Sequence, residues 1–319
     1  MTTPHNPPNP GPPRPNLDEI RRSYEARKPA EALRLLDGLP ASAQPNVDAL
    51  ELRFVCLMDV GQFEKAIRVA EDILRCEPGR PGIREKVVML EAAMARPAYG
   101  GSALDQRPFA SEIPRSFLLR MQQAVHHYRY RGVQMVKDPF DLALYPMLLW
   151  ALRPGTIIEI GSKAGGSGMW FGDLLKNMGI PGHVHSFDVV PVTGVSHENV
   201  TFYEGDGRNL GRTMTPELLA GFRRPWLVIE DADHTYETSM AVLEFFHSRL
   251  QADEYIVVED GIISDLYPDS FPDYSSGPHR ALREFLGRHG QDYIIDANYC
   301  DFFGYNATWS SNGFLKKLT

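Results

Sequence analysis

Apolar residues recur at helical spacing from Leu17 to about Arg96. After about residue 150 they gather instead into short β-rich runs separated by helix-period stretches. Within the first region Ala32, Leu35, Leu36 and Leu39 return 34 residues later as Ala66, Val69, Ala70 and Ile73. That period predicts paired helices of the tetratricopeptide type, and Gly61, Phe63, Ala66, Ala70 and Pro78 fall where the repeat puts its small residues, aromatic and terminating proline. Two copies are fewer than the roughly three a free-standing stack needs, so the module is expected to pack on the rest of the chain or on a second subunit. A plain helical hairpin without a binding groove is the competing expectation.

Further along, helices are expected near 114–128 and 138–152. Strands follow at 156–160, 183–187, 200–204, 226–230, 255–259 and 293–297, with helices near 167–178, 236–250 and 278–289. Short strands joined by crossover helices predict a parallel sheet covered on both faces, a doubly wound α/β domain. The organisation is then a disordered tail at 1–16 holding seven prolines, a helical module at 17–96, a linker at 97–113 and the α/β domain at 114–319.

Composition narrows the function classes. A hydrophobic share of 43% and a charged share of 23% over 319 residues exclude disorder throughout. No apolar run reaches the roughly 20 residues of a membrane span, and the start lacks the apolar core of a signal peptide, so a cytoplasmic protein is expected. A net charge of −8 without any basic block argues against nucleic acid as a partner. Cys56, Cys76 and Cys300 are scattered and form no CxxC pair, which leaves them as reduced core thiols.

In such a sheet ligands bind beyond the carboxyl ends of the strands, so the residues just after each strand carry the chemistry. The first strand runs into Glu159-Ile-Gly161-Ser-Lys-Ala-Gly165-Gly166-Ser167, a glycine-rich turn opening a helix. Three residues separate Gly161 from Gly165, which is not the dinucleotide GxGxxG spacing. Asp188, 27 residues past Gly161, stands where a carboxylate can accept from both ribose hydroxyls, or it serves as a loop carboxylate or helix cap. Asp206 follows the third strand and could meet a nucleobase amine or cap a turn.

The next two strands lead into Asp231-Ala-Asp233-His234 and Glu259-Asp260-Gly261. Asp231 precedes Glu259 by 28 residues, about one strand–helix–strand unit, so Asp231, Glu259 and Asp260 are expected to converge and to need a neutralising cation. Carboxylate oxygens suit Mg²⁺ rather than zinc. His234, beside the first of these ligands, is the candidate base for a hydroxyl polarised by the metal. Solvated strand-end loops and helix N-caps are the bland alternative, and Asp233 fits a cap.

Together the Glu-Ile-Gly-x-x-x-Gly-Gly-Ser turn at 159–167, the acidic end of the second strand and the DxDH and EDG loops resemble an S-adenosylmethionine-dependent methyltransferase with a Rossmann-like sheet. The lead-in RGVQMVKDPFDLALYPMLLWALRPGTIIEIGSKAGGS at 131–167 is similar to the cephalosporin-hydroxylase-like family and to metal-dependent sugar O-methyltransferases of macrolide pathways. The resemblance covers about 115–319 and leaves the repeats outside. It implies that Glu159, Gly161, Gly165, Gly166 and Ser167 border the methionine part of S-adenosylmethionine, that Asp188 holds the ribose and that Asp206 lies near the adenine. It also implies Mg²⁺ on Asp231, Glu259 and Asp260, with His234 as base. The second strand has only the one acid, and Glu230 adds a carboxylate of unfixed direction, which leaves Asp233 as an alternative ligand to Asp231.

The expected reaction is methyl transfer to a hydroxyl of a small molecule, a vicinal diol on a sugar or catechol-like ring of a specialised metabolite. The aromatic segments 266–279 and 298–312 are expected to cover that substrate, or else to form an oligomer contact or an ordered core loop. An undersized repeat module favours a homo-oligomer. A nicotinamide-dependent oxidoreductase would use the same sheet but lacks its glycine spacing. A helical-repeat binding protein with an inactive α/β domain would not need the acidic set.

Overall fold

The structure is a computed structural model that describes residues 16–39, 46–94, 107–268 and 277–319. The tail at 1–15, most of the linker and the centre of the 266–279 segment lie outside the described residues. The chain divides into two compact units, Met1–Arg96 and Pro97–Thr319.

Among its described residues the first unit contains α1 (Leu17–Glu25), α2 (Pro29–Asp37), α3 (Val47–Asp59), α4 (Phe63–Cys76) and α5 (Ile83–Met94). Asn16 starts α1 by accepting the Glu19 amide through its side chain (2.9 Å), and Asn46 does the same for Asp48 at α3 (3.0 Å). Ala32 of α2 and Ala66 and Ala70 of α4 are fully buried, so the small residues at the 34-residue offset do lie in the core of the helix stack.

In the second unit α6 (Arg115–Val125) precedes a short hairpin of β1 (Arg129–Tyr130) and β2 (Val133–Gln134), then α7 (Asp141–Leu152). The main sheet contains β3 (Thr156–Ile160), β4 (His183–Asp188), β5 (Val200–Glu204), β6 (Trp226–Glu230), β7 (Tyr255–Val258), β8 (Tyr293–Ile295) and β9 (Phe314–Lys317). Its order is β5-β4-β3-β6-β7-β9-β8. Every residue of β3 and β6 is buried, Glu159 and Glu230 included, which requires cover on both faces and explains why these strands are mostly apolar. The parallel sheet of the sequence reading needs one correction. β9 was not foreseen, and it inserts antiparallel between β7 and β8.

Chain order reverses beside β3, where β4 lies on one side and β6 on the other. That switch point opens a crevice beyond the carboxyl ends of β3 and β6. The ladder continues one residue past the strands, because Asp231 N donates to Ile160 O (2.8 Å) and Glu259 N to Glu230 O (2.9 Å). Gly161, Asp231 and Glu259 are thereby set side by side at the sheet edge.

Candidate active site

Close approach of two backbones shapes the floor of the site. Gly161 adopts φ +111°, and a Cβ there would lie 1.8 Å from Asp231 O. Only glycine fits, so Gly161→Ala is expected to displace the Asp231 loop and abolish ligand binding while helix content survives, which calorimetry and circular dichroism would separate. Gly166 serves packing instead: its Cβ would meet Gln134 O at 2.3 Å. It opens α8 (Gly166–Asn177) directly behind the turn.

A cavity of about 530 Å³ lies over this floor, lined by Gly161, Ser167, Asp188, Asp206, Asp231, His234 and Asp260 among others. Its volume suits a cofactor-sized ligand. Glu159, Gly165 and Gly166 do not line it. Glu159 is fully buried beneath, where its carboxylate accepts from the Ser186 hydroxyl, and a Cβ on Gly165 would run into Val192 and Phe202. Asp188 lines the cavity while accepting from the Lys163 amide (2.7 Å) and the Val190 amide (2.9 Å). Asp206 also lines it while its side chain caps a short turn through the Arg208 amide (2.9 Å).

At the inner end Asp231, His234 and Asp260 each offer a ligand atom, all within 4.8 Å of one another. His234 Nε2 stands 3.3 Å from Asp260 Oδ2. Both residues adopt left-handed backbone, φ 56° in each, which places strained non-glycine residues side by side at the cleft. Thr235 caps the Tyr236–His247 helix by accepting the Thr238 amide (3.3 Å) and so anchors the loop that carries His234.

Glu259, the remaining member of the expected metal set, faces inward. Both of its oxygens accept from Lys137 Nζ (2.7 and 2.6 Å), and the Tyr145 hydroxyl donates to Oε1. The same ammonium reaches Asp231 Oδ2 at 2.5 Å. Lys137 and Tyr145 were missed by the sequence reading; the signal was a lone lysine in the apolar-flanked lead-in MVKDPFD. Glu230 also points inward, accepting from Ser239 Oγ (2.8 Å). Asp233 is exposed and turned to Thr235, as a turn-forming residue would be.

Charge dominates this site. Burial, reinforced by neighbouring acids, pushes Asp231 up to about 6 and both Glu230 and Glu259 up to about 7, with Lys137 opposing the rise at Asp231 and Glu259. For His234 burial acts downward, but Asp260, Asp231, Glu230 and Glu259 outweigh it and raise the imidazole above its ordinary value. One tethered ammonium faces a larger group of carboxylates. That donor set, oxygen-rich with room beside it, fits a hard divalent cation.

Residues 306–312 do not cover the cleft. Asn306, Thr308, Ser310, Ser311 and Asn312 are fully buried: Asn312 accepts from Arg107 (2.8 Å), whose guanidinium also grips Asp301 (2.9 and 2.7 Å), while Thr308 and Ser310 donate to the buried Asp141. The late segment therefore takes the ordered-core alternative there, and only Phe302 and Phe303 show large exposed rings.

A family model described as Rhamnosyl O-methyltransferase/CmcI matches residues 122–318. A rhamnosyl O-methyltransferase of Mycobacterium leprae is 26% identical over 196 residues, spanning 58% of this chain and 81% of that protein. A Mycobacterium bovis counterpart is 27% identical over 191 residues, spanning 58% and 76%. Among solved structures, CmcI with Mg and SAM aligns at 26% identity and a TM-score of 0.47, covering 61% of this chain and 78% of that one. MycE of the mycinamycin pathway, solved with Mg, SAH and mycinamycin VI, aligns at 18% and 0.35 over 46% and 42%.

Proposed function

The chain belongs to the rhamnosyl O-methyltransferase/CmcI family and is an O-methyltransferase, and from that premise we propose that it moves a methyl group from S-adenosylmethionine to a hydroxyl of a sugar or catechol-like ring, with Mg²⁺ held at the inner end of its cleft. The observation that carries the metal-dependent reading is the surplus of buried carboxylates around Asp231 beside a cofactor-sized cavity. Asp231 and Asp260 would hold the cation, with Glu259 behind them. Gly161, Ser167, Asp188 and Asp206 would line the cofactor.

S-adenosylmethionine supplies the electrophilic methyl group, and a divalent cation supplies the positive charge that lowers the acceptor hydroxyl's pKa. The protein's own task is placement and proton removal. His234 would accept the acceptor hydroxyl's proton as the methyl group is transferred from sulfur to that oxygen. Against burial, Asp260, Asp231, Glu230 and Glu259 hold the imidazole above its ordinary value, and a cation balancing those carboxylates would weaken that upward pull. The residues lining the cleft would hold cofactor and acceptor together, which is the positioning an in-line transfer needs.

Natural-product biosynthesis, self-association and a cytoplasmic location belong to the same proposal. No described helix is long and apolar enough to cross a membrane. Calorimetry with S-adenosylhomocysteine and a methyl-transfer assay on vicinal-diol sugars test the reading. Binding of NADH in place of S-adenosylhomocysteine would refute it.

A pH dependence follows from the acids. Because Asp231 at about 6 and Glu259 at about 7 sit above the ordinary carboxylate range, protons compete with the cation below neutrality. Mg²⁺ affinity is expected to fall by up to roughly tenfold per pH unit for each proton displaced on going from pH 8 to 5.5, measured calorimetrically.

A further inference from the structure

At the other end of the sheet from the cleft, two helices finish together. The Tyr236–His247 helix and the Gly277–His289 helix both end on a histidine, and Asp292 follows just before β8. The two imidazoles lie against each other, ring centroids 3.9 Å apart and tilted by 32°. His247 Nε2 stands 3.8 Å from Asp292 Oδ2, and His289 Nε2 stands 3.5 Å from Glu244 Oε1. One ligand atom each from His247, His289 and Asp292 falls within a span of 4.8 Å. We propose that His247, His289 and Asp292, with Glu244 beside them, form a second cation site that takes a transition metal of the zinc class and clips the two helices to the entry of β8.

Three physical features favour that occupant. Imidazole is a ligand for Zn²⁺, Ni²⁺ or Cu²⁺ and a poor one for Mg²⁺, and two imidazoles with one carboxylate here, against one imidazole with two carboxylates at Asp231, His234 and Asp260, bias the two sites to different ions. Helix carboxyl ends carry partial negative charge, and two of them converge here, which favours a cation. His247 Nδ1 is buried without a hydrogen-bond partner, and burial, helped by His289 and Lys317, lowers its affinity for protons and keeps a nitrogen lone pair available. The competing charges are Arg288, 2.8 Å from Glu244 Oε1, and Lys317 Nζ, 4.0 Å from Asp292 Oδ2. Arg288 is half exposed and can release its carboxylate to the metal. Metal–nitrogen bonds of about 2 Å require the ligand atoms to draw together by roughly an ångström, within reach of side-chain rotation.

The clip would act on the cleft through rigid rods. The first helix starts at Tyr236, one cap residue past His234, and the second starts at Gly277, where a Cβ would lie 2.2 Å from His234 O. Fixing the far ends of both helices fixes the spacing of the ends that frame the proposed base. The ion is structural and takes no part in methyl transfer.

Zn²⁺ titrated calorimetrically into chelator-treated full-length protein, in excess Mg²⁺ to fill the cleft, is expected to bind one equivalent at the clip and raise the thermal midpoint. His289→Gln and Asp292→Asn, both on partly exposed side chains, are each expected to weaken that binding at least ~100-fold, whereas Asp260→Asn leaves it intact. Absence of Zn²⁺ binding, equal binding to the two clip variants, or loss only in Asp260→Asn would each overturn the proposal. None of these outcomes bears on S-adenosylhomocysteine binding, so the clip and the cleft fail independently.

Discussion

Lys137→Met is expected to unfold roughly 10 °C below the wild-type protein at pH 8 without metal, in differential scanning calorimetry. The substitution keeps length and apolar volume but removes the ammonium that touches Asp231 and both oxygens of Glu259. Deleting one partner of a buried ion pair leaves its counterpart charged in a low-dielectric interior, at a cost of about 3–5 kcal/mol. That is a large part of the about 5–15 kcal/mol that holds a domain together.

The sign of the pH effect follows from the same groups. Asp231 and Glu259 bind protons more tightly folded than unfolded, so they lower stability progressively as pH rises from the ordinary carboxylate range through about 6 and 7. Without the ammonium the acids rise further, and the deficit of the variant is expected to widen above pH 7 and to shrink towards pH 5. Added Mg²⁺ should restore more to the variant than to the wild type. A variant melting within two or three degrees of wild type at pH 8 would show that the lysine does not balance these acids.

Why this lysine escaped the sequence reading is instructive. Its meaning depends on acids 94 and 122 positions further along, and no local pattern joins them. The acids themselves were legible, because each follows a run of buried β-branched and aliphatic residues and strand ends are where such sheets bind ligands. β9 was hidden for the opposite reason: Phe-Leu-Lys-Lys is short, half basic and paired antiparallel with β7 and β8 by contacts far along the chain. Gly165 and Gly166 read as cofactor glycines, yet the atoms a Cβ would strike there belong to Val192, Phe202 and the Gln134 backbone. The aromatic late segment read as a cover. Its short polar residues turn inward instead, Asn312 to Arg107 of the expected linker and Thr308 and Ser310 to Asp141, partners far along the chain that no local pattern joins.

His234→Ala should give the largest catalytic effect: a fall in kcat of roughly 10²–10⁴-fold with S-adenosylhomocysteine affinity unchanged, read from steady-state kinetics and calorimetry side by side. The imidazole belongs to the acidic cluster rather than to the glycine turn, standing 3.3 Å from Asp260 Oδ2 on a loop held in left-handed backbone. Removing it takes away the proton acceptor while Gly161, Asp188 and Asp206 still line the cavity. A base of this kind titrates, so the wild-type rate should rise through one apparent pKa on the acid side, and the variant should lose that limb while the residual rate climbs with hydroxide. His234→Gln separates the two roles open to the side chain, since it keeps a polar atom for the cation but cannot accept the proton. If the glutamine variant turns over like wild type, the residue orients the metal and the acceptor loses its proton to another group. If both variants are slow and both still bind Mg²⁺ with wild-type affinity, proton removal is the role that was lost.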